Sequence, residues 1–214
     1  MTGNNGNTGR YEAVILDYGA VLCHEPLPQD IERMARIFRV AQAQFPALYG
    51  HDRSAYDRGD LTTTEYWSGV ASKAGTELTP DLIEQLRLWD REMWGRVNEP
   101  MTKWLAGLRP AGFKTALLSN MQFDIIKHVR ATFPWLSDFD HQIFSAEIRA
   151  IKPDAIIYRH CLKLLSVEPG AAIFVDDRAE NVAAARSLGI AAFQFSSVPQ
   201  LRRDLESTGF PHLP

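Results

Sequence analysis

The chain has 214 residues, a formal net charge of -3, 45% hydrophobic residues and 23% charged residues. This balance excludes a strongly basic nucleic-acid-binding surface and an anionic-membrane anchor, and no apolar run reaches the roughly 18 residues of a membrane span. The length suits one core with a modest insertion, and the two cysteines, Cys23 and Cys161, are too few for a disulfide framework; a cytoplasmic protein with two small buried thiols is expected.

Residues 1–9 are rich in Gly, Asn and Thr and read as a disordered lead; they lack the apolar stretch and basic start of a signal peptide. Val14-Ile15-Leu16 then forms a short aliphatic strand that ends in Asp17, with Gly19 two residues on. That placement presents an anion at the carboxyl edge of a parallel sheet, where open α/β sheets bind ligands. Taken alone it fits a turn-capping Asp equally well.

Pro26 and Pro28 interrupt the pattern, and the spacing of Ile31, Met34, Ala35 and Phe38 predicts a helix over 29–38. Residues 45–48 are apolar. Gly59 marks a helix end, and Thr62 with Glu65 three residues later forms a capping box for the next helix. Thr79-Pro80-Asp81 opens another, with Leu82, Ile83, Leu86 and Trp89 on one face. Residues 25–98 therefore read as helix after helix, too long for an ordinary crossover, and are assigned as a helical insertion. Trp67, Trp89 and Trp94 read chiefly as its packing residues.

From residue 99 strands and helices alternate: helix 102–108, strand 114–119, helix 124–132, a weaker strand 141–145, helix 155–165, strand 171–175, helix 180–188 closed by Gly189, and strand 190–195. This alternation predicts a parallel sheet covered on both faces, an α/β core made of residues 10–24 and 99–214.

Polar groups recur at the strand exits. Asp17 follows the first, Ser119 and Asn120 the second, Lys152 the third after a loop, and Asp176 and Asp177 the fourth. In a parallel sheet these exits share one edge, so a carboxylate, a hydroxyl, an ammonium and a carboxylate pair would converge. Carboxylates so close repel one another unless a cation joins them, and the all-oxygen set suits Mg²⁺.

The four motifs, Leu16-Asp17-Tyr18-Gly19-Ala20-Val21-Leu22, Leu117-Leu118-Ser119-Asn120, Ile151-Lys152-Pro153 and Phe174-Val175-Asp176-Asp177-Arg178-Ala179-Glu180-Asn181, stand in the order found in the haloacid dehalogenase superfamily of hydrolases, which the chain resembles over residues 11–196. The resemblance implies a Rossmann-like core with a small helical cap inserted after the first strand. Gly59-Asp60-Leu61-Thr62 with Glu65-Tyr66-Trp67 is most similar to the subgroup of glucose-1-phosphate phosphatase and the phosphatase domain of soluble epoxide hydrolase.

The implied activity is Mg²⁺-dependent hydrolysis of a small phosphorylated metabolite, such as a sugar phosphate. Asp17 is the implied nucleophile and forms an aspartyl-phosphate. Asp17, the Gly19 carbonyl and Asp177 are the implied metal ligands, with Asp176 joined through water and Asn181 orienting that shell. Ser119, Asn120 and Lys152 hold the phosphoryl group, and Lys152 also holds Asp17. Tyr18, His24, Arg53, Tyr56 and Trp67 are the expected lining of a substrate pocket.

One position departs from the pattern. Many phosphatases of the superfamily carry an acid–base Asp two residues after the nucleophile, where this chain has Gly19. His24 and Glu25 are the nearest titratable substitutes, although a solvated loop suits each better. Two alternatives therefore stay open: a 2-haloacid dehalogenase using Asp17 without metal, and a non-catalytic metal- or phosphate-binding scaffold.

Overall fold

The structure, a computed structural model, describes residues 10–214. The expectation for residues 1–9 lies outside the described residues.

Five parallel strands form one sheet in the order β3-β2-β1-β4-β5. They are β1 (Ala13–Leu16), β2 (Lys114–Ser119), β3 (His141–Phe144), β4 (Ala172–Asp176) and β5 (Ala191–Gln194). The order fans out from β1 in both directions, so the crevice between β1 and β4 is the switch point at which open α/β sheets take ligands. Register fixes the height of that edge: Leu16 lies opposite Leu117 on one side and Val175 on the other. Asp17 and Asp176, each one residue further, therefore leave adjacent strands side by side.

Strand β1 is buried along its whole length, and its alternating side chains feed two cores. Val14 and Leu16 pack into a cluster with Met101 and Leu105 of α6 (Glu99–Leu108), Ile125 and Val129 of α7 (Phe123–Thr132), and Leu201 and Leu205 of α11 (Val198–Glu206). Ala13 and Ile15 face the other way, onto Ile157 and Cys161 of α9 (Ala155–Leu165) and Val182 and Ala185 of α10 (Ala179–Ser187). The result is the helix–sheet–helix sandwich expected for strands that carry continuous aliphatic runs. Both cysteines are free and buried. Among the described residues no helix is long and apolar enough to cross a membrane.

Between β1 and α6 the chain builds a block of five α-helices: α1 (Pro28–Ile37), α2 (Phe45–Tyr49), α3 (Arg53–Asp57), α4 (Thr63–Ala74) and α5 (Pro80–Met93). They enclose their own apolar cluster, with Met34, Phe38, Phe45, Tyr56, Tyr66, Trp67, Val70 and Leu86 buried in it. The capping box at α4 is formed: Thr62 Oγ1 accepts from the Glu65 amide at 3.2 Å, and the Thr62 amide donates to Glu65 Oε2 at 2.8 Å. The two chain segments that join this block to the sheet run side by side. Cys23 bridges Val97, and Asn98 donates its amide N–H to the Leu22 carbonyl and its Nδ2 to the Val21 carbonyl, both at 2.9 Å.

Three helices depart from the sequence pattern. Helix α6 starts at Glu99 rather than at 102, because Pro100 sits in the first turn, where its missing N–H costs nothing. Helix α11 was not anticipated, although Ser197 caps it through the Gln200 amide and Pro199 again occupies the first turn. Helix α8 (Ser145–Ile148) is a single turn directly after β3, short enough to leave no periodic signal.

The block docks on the core around Gly59. This residue has φ +80°, and a Cβ there would lie 2.8 Å from Phe123 Cε2 and 3.2 Å from the Ala146 carbonyl oxygen. Gly75, which closes α4, has φ +67° but nothing within 4 Å of a built Cβ. Gly75→Ala should therefore cost only the left-handed backbone term, about 1–2 kcal/mol. Gly59→Ala adds a steric clash at the docking seam and should cost clearly more. Urea denaturation of the two variants measures the difference, and equal midpoints would contradict this account of the seam.

Candidate active site

The site grows from the carboxyl edge of β1 and β4. Asp17 is the first residue beyond β1, where its extended backbone ends the strand and its carboxylate accepts from the Tyr18 amide at 2.7 Å. The chain then turns sharply through Gly19 and Ala20. Lys152 lies after α8, and its ammonium reaches Asp17 Oδ1 at 2.9 Å and Asp176 Oδ2 at 2.5 Å. Its position is set from both ends. Asn120 clamps its backbone, with the Lys152 amide donating to Asn120 Oδ1 and Asn120 Nδ2 donating to the Lys152 carbonyl, both at 2.8 Å. The ammonium sits 5.5 Å from the Phe174 ring centre, a cation–π distance.

Asp176 and Asp177 are neighbours with different occupations. Asp176 is fully buried and saturated with donors: the Arg178 amide and Asn181 Nδ2 on Oδ1, each at 2.9 Å, and Lys152 and Asn181 Nδ2 on Oδ2. Its carboxylate joins Lys152 to the start of α10. Asp177 is partly exposed, and among the described residues only its own backbone N–H hydrogen-bonds its carboxylate. Oxygens of Asp17, Asp176 and Asp177 lie within 4.8 Å of one another.

Three carboxylates thus face one ammonium. Burial, opposed by Lys152 and reinforced by Asp176 and Asp177, pushes Asp17 up to about 7. Burial and the adjacent Asp176 push Asp177 up to about 6. Burial on its own would lower the Lys152 ammonium, but Asp17 and Asp176 raise it above its ordinary value. A cluster that holds its anions this reluctantly has room in its charge balance for a cation. The all-oxygen donor set fits a hard ion such as Mg²⁺ rather than a soft one.

A cavity of about 410 Å³ opens over these groups, between the sheet edge and the helical block. Asp17, Tyr18, Gly19, Ser119, Asn120, Lys152, Asp177 and Asn181 border it from the core, and Arg53 borders it from the block. Ser119 is buried at the end of β2, and among the described residues nothing hydrogen-bonds its hydroxyl. Tyr18 packs its ring at 6.3 Å from Trp135 and donates its hydroxyl to the Trp94 carbonyl at 2.8 Å.

Three of the expected pocket residues are placed elsewhere. Trp67 is fully buried in the block's own core, and Tyr56 stacks on Tyr66 at 4.2 Å with its hydroxyl on Thr63. Both are large aromatic surfaces that gain more from a dry interior than from a cavity wall. His24 is exposed and borders a separate cavity, of about 560 Å³, with Glu25 and Arg96. The His24 amide donates to the Arg96 carbonyl at 2.7 Å, and Asp177 borders this second cavity as well as the first.

Trp94, read from the sequence as packing, borders the cavity, together with Tyr49, Asp57 and Glu180. A Cβ at Gly19 would come 3.6 Å from Trp94 Cζ3, so a side chain growing from that position meets indole. Arg53 carries a second charged cluster: Nε donates to Asp57 Oδ1 at 2.9 Å, and Nη1 approaches Asp90 Oδ1 at 3.4 Å and bonds the Tyr49 hydroxyl. The one sequence cue was the i, i+4 spacing of Arg53 and Asp57, which on most helices marks only a surface pair.

Residues 29–189 match the family model of haloacid dehalogenase-like hydrolases. The chain belongs to the haloacid dehalogenase-like hydrolases. Bifunctional epoxide hydrolase 2 of Rattus norvegicus is 28% identical over 154 residues, 67% of this chain and 27% of that protein. The chain thus spans little more than a quarter of that curated relative. Among solved structures, a HAD family enzyme of Bacteroides thetaiotaomicron in complex with magnesium and inorganic phosphate superposes with a TM-score of 0.70 at 20% identity, covering 87% of this chain and 94% of that one. L-2-haloacid dehalogenase of Xanthobacter autotrophicus, with chloropropionic acid covalently bound, gives 0.66 at 19%, covering 95% and 85%. These two likenesses establish the fold of this hydrolase.

Lys152 is the single buried cation among the three carboxylates. Removing one partner of a buried ion pair leaves uncompensated charge and typically costs about 3–5 kcal/mol. Lys152→Met, with a chain of similar length, is expected to lose about that much in the presence of a chelator. Chemical denaturation tests it, and a neutral effect would mean that the ammonium is not what holds the strand ends together.

Proposed function

We propose that this hydrolase cleaves a small phosphomonoester through an aspartyl-phosphate on Asp17, with Mg²⁺ held by Asp17, Asp177 and the Gly19 carbonyl. The observation that carries this reading is the convergence of three carboxylate oxygens within 4.8 Å beside one ammonium, at the mouth of a cavity of about 410 Å³. Such a site is too rich in negative charge to receive an anionic substrate unless a cation joins it. Magnesium bound there supplies the positive charge that offsets the approach of two anions.

The chain's own groups do the rest. Lys152 orients Asp17 and keeps it an available anion. The Ser119 hydroxyl, with no protein partner, is free to donate to a phosphoryl oxygen. Asp176 joins the metal shell only through water, since its own oxygens are taken by Lys152, Asn181 and the start of α10. Asn120 acts by clamping the Lys152 backbone. Phosphoryl transfer asks mainly for positioning and electrostatics, and this arrangement offers both. The helical block acts as a cap, with Arg53, Tyr49 and Trp94 facing the substrate's leaving alcohol, a sugar or comparable small alcohol. Two buried free thiols suit a reducing, cytoplasmic setting.

A dehalogenase reading keeps one observation in its favour: an ester formed on carbon needs no acid, and Gly19 supplies none. Its difficulty is Asp177, a carboxylate that no other described residue hydrogen-bonds, beside the site of a carboxylate substrate.

Hydrolysis of p-nitrophenyl phosphate is expected with Mg²⁺, lost in chelator and abolished by Asp17→Asn. Halide release from 2-chloropropionate without metal would decide for the other reading. Mg²⁺ at about 100 times its Kd should stabilise the folded chain by about 2.7 kcal/mol, and Asp177→Asn should remove that gain. A melting temperature indifferent to Mg²⁺ in the unaltered protein would remove the metal from the proposal.

A further inference from the structure

We propose that Asp57, on helix α3 of the block, is the general acid and base of the reaction and does the work that Gly19 cannot. The inference rests on the phosphatase reading above.

The geometry places Asp57 on the wall of the same cavity as Asp17 and Ser119. Ser145 Oγ donates to the Asp57 carbonyl and accepts from the Met121 amide at 2.8 Å, so a single hydroxyl joins Asp57 to the loop just beyond Ser119 and Asn120. The seam at Gly59 fixes the same segment against Ala146. One carboxylate oxygen, Oδ1, is held by Arg53 Nε at 2.9 Å. The side chain is nearly buried yet borders the cavity, and no described group hydrogen-bonds Oδ2. The other titratable groups on the cavity wall are committed. The Tyr18 hydroxyl donates to Trp94, the Tyr49 hydroxyl donates to Asp90 at 2.5 Å, and Glu180 pairs with Arg178 at 2.6 Å.

The charge balance favours a proton on this residue. Asp57 and Asp90 share one guanidinium, and Asp90 Oδ2 is buried with no partner at all. The groups that face Asp57 are Arg53 on its own helix, Tyr49, Tyr66 and Asp90 within the block, and Arg178 across the cavity. On α8, Glu147 is engaged by Arg130 and Arg149 by Asp60. Burial, opposed by Arg53 and reinforced by Asp90, pushes Asp57 up to about 6, which keeps a useful share protonated near neutrality.

In the first step Asp17 attacks phosphorus, the bond from phosphorus to the leaving oxygen breaks, and the Asp57 proton passes to that oxygen, releasing the alcohol. In the second, Asp57 as carboxylate takes a proton from the attacking water, the bond from phosphorus to Asp17 breaks, and phosphate leaves. Asp57 ends protonated and Asp17 ionised, as they began.

Leaving groups of different basicity separate this role from a structural one. A strongly basic alkoxide needs the acid, whereas p-nitrophenolate departs without it. For Asp57→Asn, kcat on a simple alkyl phosphate should fall roughly 10²–10⁴-fold. The pre-steady-state burst of p-nitrophenolate should persist at near wild-type rate, followed by slow turnover because the base is missing. Asp57→Glu should recover part of the alkyl phosphate rate. For the unaltered protein, kcat/KM on the alkyl phosphate should decline as pH rises through about 6, because the acid must be protonated. Asp90→Asn, which leaves the cavity wall intact, removes a neighbouring negative charge and should move that limb to lower pH. This variant decides the matter if Asp57→Asn does not fold. Equal losses in the burst and in alkyl phosphate turnover, no loss in either, or a limb unmoved in Asp90→Asn would each overturn the assignment while leaving the phosphatase reading intact. A wild-type protein with no Mg²⁺-dependent phosphatase activity would overturn both.

Discussion

The Lys152 ammonium, dry and shared between Asp17 and Asp176, is the contact on which the site depends. It joins the ends of β1 and β4, two strands that register alone would leave as adjacent anions. Bringing an ammonium and two carboxylates out of water costs several kcal/mol per ion, and the cost is offset only when every remaining valence finds a partner. For Asp176 it does: Asn181 and the Arg178 amide complete it, while Asn120 pins the lysine's backbone. Asp17 receives both Lys152 and the Tyr18 amide on Oδ1, which leaves Oδ2 open toward the cavity. All four sequence motifs are thereby fastened to one another before any ligand arrives, which is the preorganisation that electrostatic catalysis requires.

The second requirement is a wall opposite the sheet edge. The five helices between β1 and α6 supply it, but a block with its own core would drift if it touched the sheet only through its two connecting segments. The seam at Gly59 prevents this. Ser145 to the Asp57 carbonyl, Thr63 to Asp124 and Arg149 to Asp60 cross it within a short stretch of chain. Together with Phe123 and Ala146 packed at Gly59, these polar contacts define how the block sits on the core.

How much of this was legible in the sequence follows from what each residue must do. The strands were legible because Val14-Ile15-Leu16, Ala116-Leu117-Leu118 and Ile173-Phe174-Val175 are buried on both faces, which leaves continuous aliphatic runs. The core groups of the site were legible because each stands at a strand exit, and topology carries all exits to one edge. Of the cavity's upper wall only Arg53 was. Tyr56, Trp67 and Trp94 have the same composition signal, yet the first two fill the block's interior and only the third reaches the cavity. Which face of a short helix looks down depends on how the block docks, and the docking contacts involve Gly59, Ser145 and Asp124, none of which forms a pattern in one dimension. Asp57 was hidden for a related reason. An Arg and an Asp four residues apart normally describe a solvated helix surface, and only burial by Asp90 and Tyr49, far away in sequence, turns that pair into a charged cluster.

The two charged clusters share one imbalance and resolve it differently. Around Lys152 three carboxylates meet one cation, and around Arg53 two carboxylates meet one. At separations of a few ångströms and in a medium less polarisable than water, an excess negative charge cannot simply be tolerated. It must be met by a metal ion or a proton, and exposure decides which. Asp177 is partly exposed and no other described residue hydrogen-bonds its carboxylate, so the first cluster is open to a hydrated divalent ion. The Arg53 cluster offers a cation little: Asp90 is sealed, both of its neighbours already donate to it, and a proton is the one cation small enough to enter. On the proposed reading, a divalent ion belongs to the core half of the cavity and a mobile proton to the block half, and the fold keeps the two apart by placing one cluster on the sheet edge and the other on the helices above it.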